Sequence, residues 1–270
     1  MSTLAPPHEP RVTIRRRGLD DVEQQLWLAS QVQRDLLPDP MPRSTTAAFH
    51  GLFLPADRVS GDIYDVVRLD EDTLGVSIAD ATGHGIPAAL LTVFIKRGFR
   101  GKTIENGSYR ILEPDEVLHA MNRDLLDTRL SHCQFVTAAH AVYNERTRTV
   151  RFARGGLPYP VWVRPGCEPR LLRSTGVLLG AVEKPPLDIV EMTLEPGDRL
   201  FFYTDGLEAL LCGRRPGEDP FDLSITPWFR ALPDRPTEQA LEDVAAIRRS
   251  VSPDAWPVDD ITLVTVDAAA

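Results

Sequence analysis

Residues 73–91 read TLGVSIADATGHGIPAALL, a strand pattern that runs into an acid, a glycine turn and then a helix pattern. Thr73 to Ala79 has the β-branched and apolar character of a strand, and Asp80 closes it. Gly83 and Gly85 bracket the turn, and the helix predicted from Ile86 carries Pro87 where a missing N–H does least harm. A carboxylate is thereby carried to the end of an apolar strand, beside glycines whose backbone can approach a ligand closely.

The flanking sequence extends this pattern in both directions. Ala47 to Leu54 and Ile63 to Leu69 have strand character, and the turn-like Asp70-Glu71-Asp72 joins the second of them to Thr73. Downstream, a helix is predicted from Pro114, with Val117, Leu118, Met121 and Leu125 on one side. Strands are predicted at Phe135 to Tyr143, Thr149 to Ala153, Tyr159 to Val163, Ile189 to Leu194 and Arg199 to Thr204. A helix from about Glu238 to Val251 then precedes a last strand, Ile261 to Val266. Short turns between successive strands imply antiparallel pairing, because parallel neighbours need a crossover of a dozen or more residues. Helices in separate blocks give an α+β layout, with layered sheets and the helices outside them.

Towards the N-terminus, residues 1–18 are rich in Pro and Arg without periodicity and read as a loose arm. Residues 19–38 form an amphipathic linker helix, with Val22, Leu26, Ala29, Val32, Leu36 and Leu37 at helical spacing before Pro38-Asp39-Pro40 stops it. Residues 39–270 make the main domain. The apolar stripe of the linker helix needs cover. It is expected either to pack near the helix starting at Ile86 or to pair with a second copy as a homodimer.

The 270 residues carry a net charge of -9 with 43% hydrophobic and 26% charged content, the composition of an ordinary globular chain. That charge repels a polyphosphate backbone, so no nucleic-acid partner is expected. The longest apolar stretch, Ile86 to Ile95, falls well short of the roughly 20 residues of a membrane span, and no membrane association is expected. Three widely spaced cysteines, Cys133, Cys167 and Cys212, suggest neither a disulfide framework nor a thiolate zinc site. A reducing cytoplasm fits best.

Four places put aspartate at a strand boundary: Val59-Ser60-Gly61-Asp62, Asp80-Ala81-Thr82-Gly83, Tyr203-Thr204-Asp205-Gly206 and Asp259-Asp260-Ile261-Thr262. Each acid flanks an apolar strand and so lies at a sheet end, where distant parts of the chain converge. Converging carboxylates repel, and withdrawing them from water costs several kcal/mol per uncompensated charge. Divalent cations resolve that conflict. Oxygen ligands suit Mg²⁺, Mn²⁺ or Ca²⁺, and the lack of a His or Cys cluster argues against zinc.

The order VSGD, ADATGHGIPAALL, YTDG and DDIT resembles the metal-dependent protein phosphatases of the PPM type, in particular the bacterial branch related to sporulation stage II protein E and the environmental-stress regulatory phosphatases. QVQRDLLPDPMP, residues 31–42, is similar to the junction before the catalytic domain in that branch, and the match runs from about Gln31 to the C-terminus. The resemblance implies a four-layer αββα sandwich, two central and mainly antiparallel sheets flanked by helices. It implies two divalent cations, Mn or Mg, held by Asp62, Asp80, Asp205 and Asp259 with the carbonyl of Ala81. Asp80 would bridge them, and Asp80 and Asp205 would carry the catalysis. Of the final pair, Asp259 is favoured over Asp260. A hydroxide held between the cations would hydrolyse phosphoserine or phosphothreonine on a phosphorylated regulatory protein, such as an anti-sigma-factor antagonist, in signal transduction by partner switching. One departure stands out: where the branch commonly has Asn-Ala-Gly-His, this chain has Arg154-Gly155-Gly156-Leu157-Pro158, which keeps the glycine turn and puts in doubt any role of that histidine.

Rival readings are weaker. Cys167 and Arg173 match the C-x₅-R spacing of thiol phosphatases, but Glu168, Pro169, Leu171 and Leu172 between them do not suit a phosphate cradle of backbone N–H groups. Gly101-Lys102-Thr103 resembles the end of a P-loop whose first glycine is replaced by Lys96. His84 and His132-Cys133 read as turn and packing residues, and Arg58 as a solvated cation. The rival of another class is a catalytically inactive module of the same fold that binds a signalling partner. Four filled acid positions count against it, since clustered carboxylates without metal are a standing cost.

Overall fold

The computed structural model describes residues 17–83, 85–105, 107–128, 135–212, 223–251 and 259–269. The predicted loose arm, His84 and His132-Cys133 therefore fall outside the described residues, apart from Arg17 and Gly18 at the start of the first helix.

Two five-stranded sheets form the centre, and every ladder in them is antiparallel. The chain begins with helix α1 (Arg17–Asp35) and continues through β1 (Ala47–Leu54), β2 (Asp62–Arg68), β3 (Thr73–Ala81) and α2 (Ile86–Gly98). A hairpin of β4 (Lys102–Glu105) and β5 (Ser108–Ile111) leads to α3 (Pro114–Thr128), β6 (Val136–Asn144) and β7 (Thr149–Gly155). Then come β8 (Val161–Val163), β9 (Arg170–Leu171), β10 (Val190–Thr193), β11 (Arg199–Tyr203), α4 (Asp205–Cys212), α5 (Pro227–Ala231), α6 (Thr237–Ser250) and β12 (Ile261–Ala268). One sheet has the order β1-β12-β11-β8-β9 and the other β10-β7-β6-β3-β2.

The period of two along each strand sorts residues between layers. In β3, Leu74, Val76 and Ile78 face the core between the sheets, while Ala79 and Ala81 face α2 and α3. In β12, Val264 and Val266 face the inter-sheet core, whereas Ile261 and Leu263 join Trp228, Leu241 and Val244 beneath α5 and α6. Three apolar layers thus separate four layers of structure, and the expected αββα sandwich is observed.

The C-terminal end of α1 lies near α2, as predicted. Leu36 and Leu37 pack against the core beneath α2, and Gln33 is buried. Among the described residues the rest of the stripe finds no such cover: Val22 and Val32 are more than half exposed, as is the neighbouring Trp27, and Leu28 is 50% exposed. The β4–β5 hairpin was not expected, and Lys102-Thr103, the P-loop look-alike, belongs to its first strand. Cys167 is exposed and Arg170–Leu171 is a strand, so the C-x₅-R spacing does not form a phosphate cradle. Among the described residues, no helix is long and apolar enough to cross a membrane.

Candidate metal centre

The inter-sheet core ends in polar residues at one end of the sandwich. Asp80 follows Leu74, Val76 and Ile78 on the inward face of β3, and Asp62 precedes Tyr64 and Val66 on that of β2. On the facing sheet, Thr204 follows Leu200 and Phe202, and Asp260 and Thr262 precede Val264 and Val266. The alternation that builds the core therefore delivers three carboxylates and two hydroxyls to the same gap.

Within that gap Asp62 and Asp80 are direct cross-strand partners, which puts their Cβ atoms about 5 Å apart. Asp62 is 1% exposed, and Thr204 Oγ1 donates to its Oδ2 at 2.8 Å. Thr204 is fixed in turn by Thr262, whose N donates to Thr204 Oγ1 at 3.0 Å and whose carbonyl accepts from Thr204 N at 3.0 Å. These bonds tie the residue before Asp205, at the end of β11, to the strand that follows Asp259-Asp260, and both to Asp62. Asp205 opens α4 and is exposed, with a negative charge at a helix N-terminus where the dipole favours it.

Asp259 and Asp260 differ in environment. Asp260 is 7% exposed, and its carboxylate accepts from Ala56 N at 2.6 Å and Gly61 N at 2.7 Å. Asp259 is exposed and accepts from Asp260 N at 2.9 Å. Asp260 is thus committed to holding the loop before β2, which leaves Asp259 the freer carboxylate. The carbonyl of Ala81 lies against Gly61: a Cβ on Gly61 would sit 2.9 Å from it, while Ala81 N donates to Gly61 O at 2.9 Å. Glycine at position 61 keeps that carbonyl uncovered.

The electrostatics record the crowding. Burial pushes the Asp80 carboxyl up to about 8, reinforced by the charges of Asp205, Asp259 and Asp260 in that order. Burial likewise raises Asp62 well above the usual carboxylate range, with Asp80 and Asp260 adding to it against the hydrogen bond from Thr204. Asp260 is raised by burial, offset by its two backbone donors. The acids share one field, yet among the described residues no three Asp, Glu, His or Cys side chains converge tightly enough to hold an ion as they stand. Oxygen-only donors, a bared carbonyl and uncompensated negative charge suit a hard divalent cation.

Residues 70–269 match the profile of the stage II sporulation protein E (SpoIIE) family. The chain belongs to that family. It is 28% identical over 193 residues to the phosphoserine phosphatase RsbU of Bacillus subtilis (strain 168), covering 71% of this chain and 56% of RsbU. The chain spans about half the length of the curated relatives it matches. The SiaA-PP2C domain of Pseudomonas aeruginosa superposes with a TM-score of 0.75 at 22% identity, covering 94% of this chain and 99% of that one. RsbX, solved in complex with magnesium, superposes at 0.58 with 16% identity, covering 84% of this chain and 98% of that one. Both likenesses concern the fold.

In this SpoIIE-family chain the segment 154–158 has a part that the motif comparison missed. Arg154 is 8% exposed, donates from Nη1 to Leu157 O at 2.7 Å and from Nη2 to Ser174 O at 2.5 Å, and stacks 4.1 Å above the Tyr159 ring. A polar side chain does therefore order this turn, from the first position of the segment. Gly176 fits closely against it, since a Cβ there would meet the Arg154 carbonyl at 1.8 Å. Sequence reading also missed Ser60, Thr204 and Thr262 as supports of the acids. Their signal was adjacency to the four aspartate motifs. Arg58, read as a solvated cation, is exposed.

Proposed function

We propose that this chain is a metal-dependent protein phosphatase that hydrolyses phosphoserine or phosphothreonine on a phosphorylated regulatory protein, such as an anti-sigma-factor antagonist. Asp62, Asp80, Asp205, Asp259 and the Ala81 carbonyl would hold two divalent cations, Mn or Mg. The observation that carries this reading is the Asp62–Asp80 cross-strand pair, Asp62 buried and Asp80 half-buried at the end of the inter-sheet core, in the field of Asp205 and Asp259. When bound, the cations would activate water and neutralise charge on the phosphoryl oxygens. The residues around them have separate tasks. Thr204 orients Asp62, Asp260 holds the loop that bares the Ala81 carbonyl, and the exposed Asp205 and Asp259 face the side from which a phosphoprotein can approach. The name of RsbU, a phosphoserine phosphatase, and the magnesium bound to RsbX support the substrate class and the hard cation.

One observation suits the non-catalytic module: among the described residues the acids as they stand do not close into a ligand group. Manganese-dependent release of phosphate from a phosphorylated antagonist protein separates the two. Wild-type turnover that is lost in Asp80→Asn supports the phosphatase, and equal inertness of both, with no metal binding by calorimetry, supports the module.

The part of the α1 stripe left uncovered by the described residues, with Val22 and Val32 exposed, supports the inference that this helix pairs with a second copy of the chain.

A further inference from the structure

Helix α1 reaches the candidate metal centre through one side chain. Gln33 is 4% exposed, and its carboxamide lies along the backbone of Ser60: Nε2 donates to Ser60 O at 2.7 Å, and Ser60 N donates to Oε1 at 2.9 Å. The other amide hydrogen goes to Thr92 Oγ1 on α2 at 3.1 Å, and that hydroxyl donates to Ala89 O at 2.7 Å. One amide thus joins α1, α2 and the loop before β2. The sequence marks the position, because Gln33 continues the 4-3-4 spacing of Val22, Leu26, Ala29 and precedes Leu36, a polar residue where the stripe calls for an apolar one.

We propose that Gln33 is a positioning residue for the metal centre, gripping Ser60 so that the Val59–Asp62 loop presents Asp62 and Asp260 correctly. This rests on the function proposed above. The bonds that set the acids run through the two residues beside that grip. Ser60 Oγ accepts from Asp62 N at 3.0 Å, Gly61 N donates to Asp260 Oδ2, and Gly61 O accepts from Ala81 N. Ser60 is fully buried, so without Gln33 its peptide N–H and C=O lose their partners and the loop must rearrange to find others. Supports of this kind typically change metal affinity or activity 10- to 100-fold when removed.

The test uses the full chain with Gln33→Met, which removes the amide at similar size, Thr92→Val, which removes only the arm to α2, and exposed Gln31→Met as control. Hydrogen exchange without metal should be about tenfold faster or more at the Gly61, Asp62 and Ala81 amides in Gln33→Met, and unchanged at Val76 and Val264 in the core. The Mn²⁺ concentration giving half-maximal hydrolysis of p-nitrophenyl phosphate should rise about tenfold, with a smaller fall in the rate at saturating Mn²⁺. Thr92→Val should shift both readouts less in the same direction, and decides the matter alone if Gln33→Met does not fold. Wild-type exchange and Mn²⁺ requirement in the variants, beside a Mn²⁺-dependent wild type, overturn the assignment of Gln33 alone. So does faster exchange spread evenly over the whole domain. A wild type with no Mn²⁺-dependent hydrolysis overturns the phosphatase reading, and with it the catalytic part of this proposal.

Discussion

Replacing Gly206 by alanine tests how tightly the Asp205 and Asp259-Asp260 segments are pressed together. A Cβ at position 206 would stand 2.0 Å from the carbonyl oxygen of Asp260, with the Asp260 carbonyl carbon at 2.9 Å and Ile261 Cγ1 at 3.2 Å. Two stretches of backbone must then separate by about 1 Å or more, in an interior packed like an organic crystal. Neither is free to move: Asp260 holds Ala56 N and Gly61 N, and Thr262 is bonded to Thr204 on both sides. Overpacking of this kind costs about 1–3 kcal/mol, and rigid backbone on both sides puts this site at the upper end. Helix propensity alone has the opposite sign, since alanine is better than glycine in a helix by about 1 kcal/mol. Gly206→Ala is expected to lower Tm by about 4–8 °C in a thermal melt, for a net loss of about 2 kcal/mol in a domain of this size. Gly98→Ala serves as comparison. There the added Cβ meets the flexible tip of Met121 at 3.2 Å, and the change should be close to neutral. A Gly206→Ala protein that melts at or above the wild-type temperature would refute the packing described for this end of the sandwich.

Other outcomes follow from the same contacts. Thr204→Val should cost roughly 1–3 kcal/mol in urea unfolding, because it strips a donor from buried Asp62 and an acceptor from Thr262 N, and an unchanged midpoint would count against that network. The Arg68 hydrogen bond lowers the Glu145 carboxyl from its ordinary 4.5 to about 2. A depressed folded-state value means stability present above pH 4.5 and lost as pH falls from there towards 2, so Glu145→Gln should flatten that acid limb by up to about 2 kcal/mol after solvent screening. Parallel acid limbs in urea titrations of the two proteins would contradict it. Val22→Lys with Val32→Lys should weaken self-association by at least tenfold in sedimentation equilibrium, since each charge is set into a stripe that pairing would bury. A wild type that sediments as a monomer at every concentration removes that inference.

The strands and most helices could be read from the sequence because their periods are undiluted. Leu74, Val76 and Ile78 alternate cleanly, and the same alternation, continued by two residues, carries Asp80 to the site. Asp62 was legible as a strand-boundary acid in the same way, whereas Asp205 and Asp259 lie off that alternation and were legible only because each stands just beyond an apolar strand. Helix α4 was not, because Asp205-Gly206 has the chemistry of a turn and eight residues are too few to show a period. Its helical state comes from packing, with Leu207 buried and Leu210 and Leu211 set against the core beneath α5 and α6. The β4–β5 hairpin has short strands with Ile104 exposed and so lacks an apolar period. Its signal was the Asn106-Gly107 pair between Glu105 and Ser108, which favours a tight two-residue hairpin turn. Local pattern marks the positions of Gln33, a polar residue in an apolar stripe, and of Thr204, beside Asp205, but their partners and those of Arg154 lie far along the chain and are not encoded locally.

The most direct test of the metal centre is anomalous diffraction from crystals grown with Mn²⁺. The account predicts two peaks about 3.5–4 Å apart, the spacing of two-metal hydrolases, with oxygens of Asp62, Asp80, Asp205 and Asp259 and the Ala81 carbonyl around them. Manganese seated away from Asp80, or saturating Mn²⁺ that leaves this end of the sandwich without anomalous density, would contradict it.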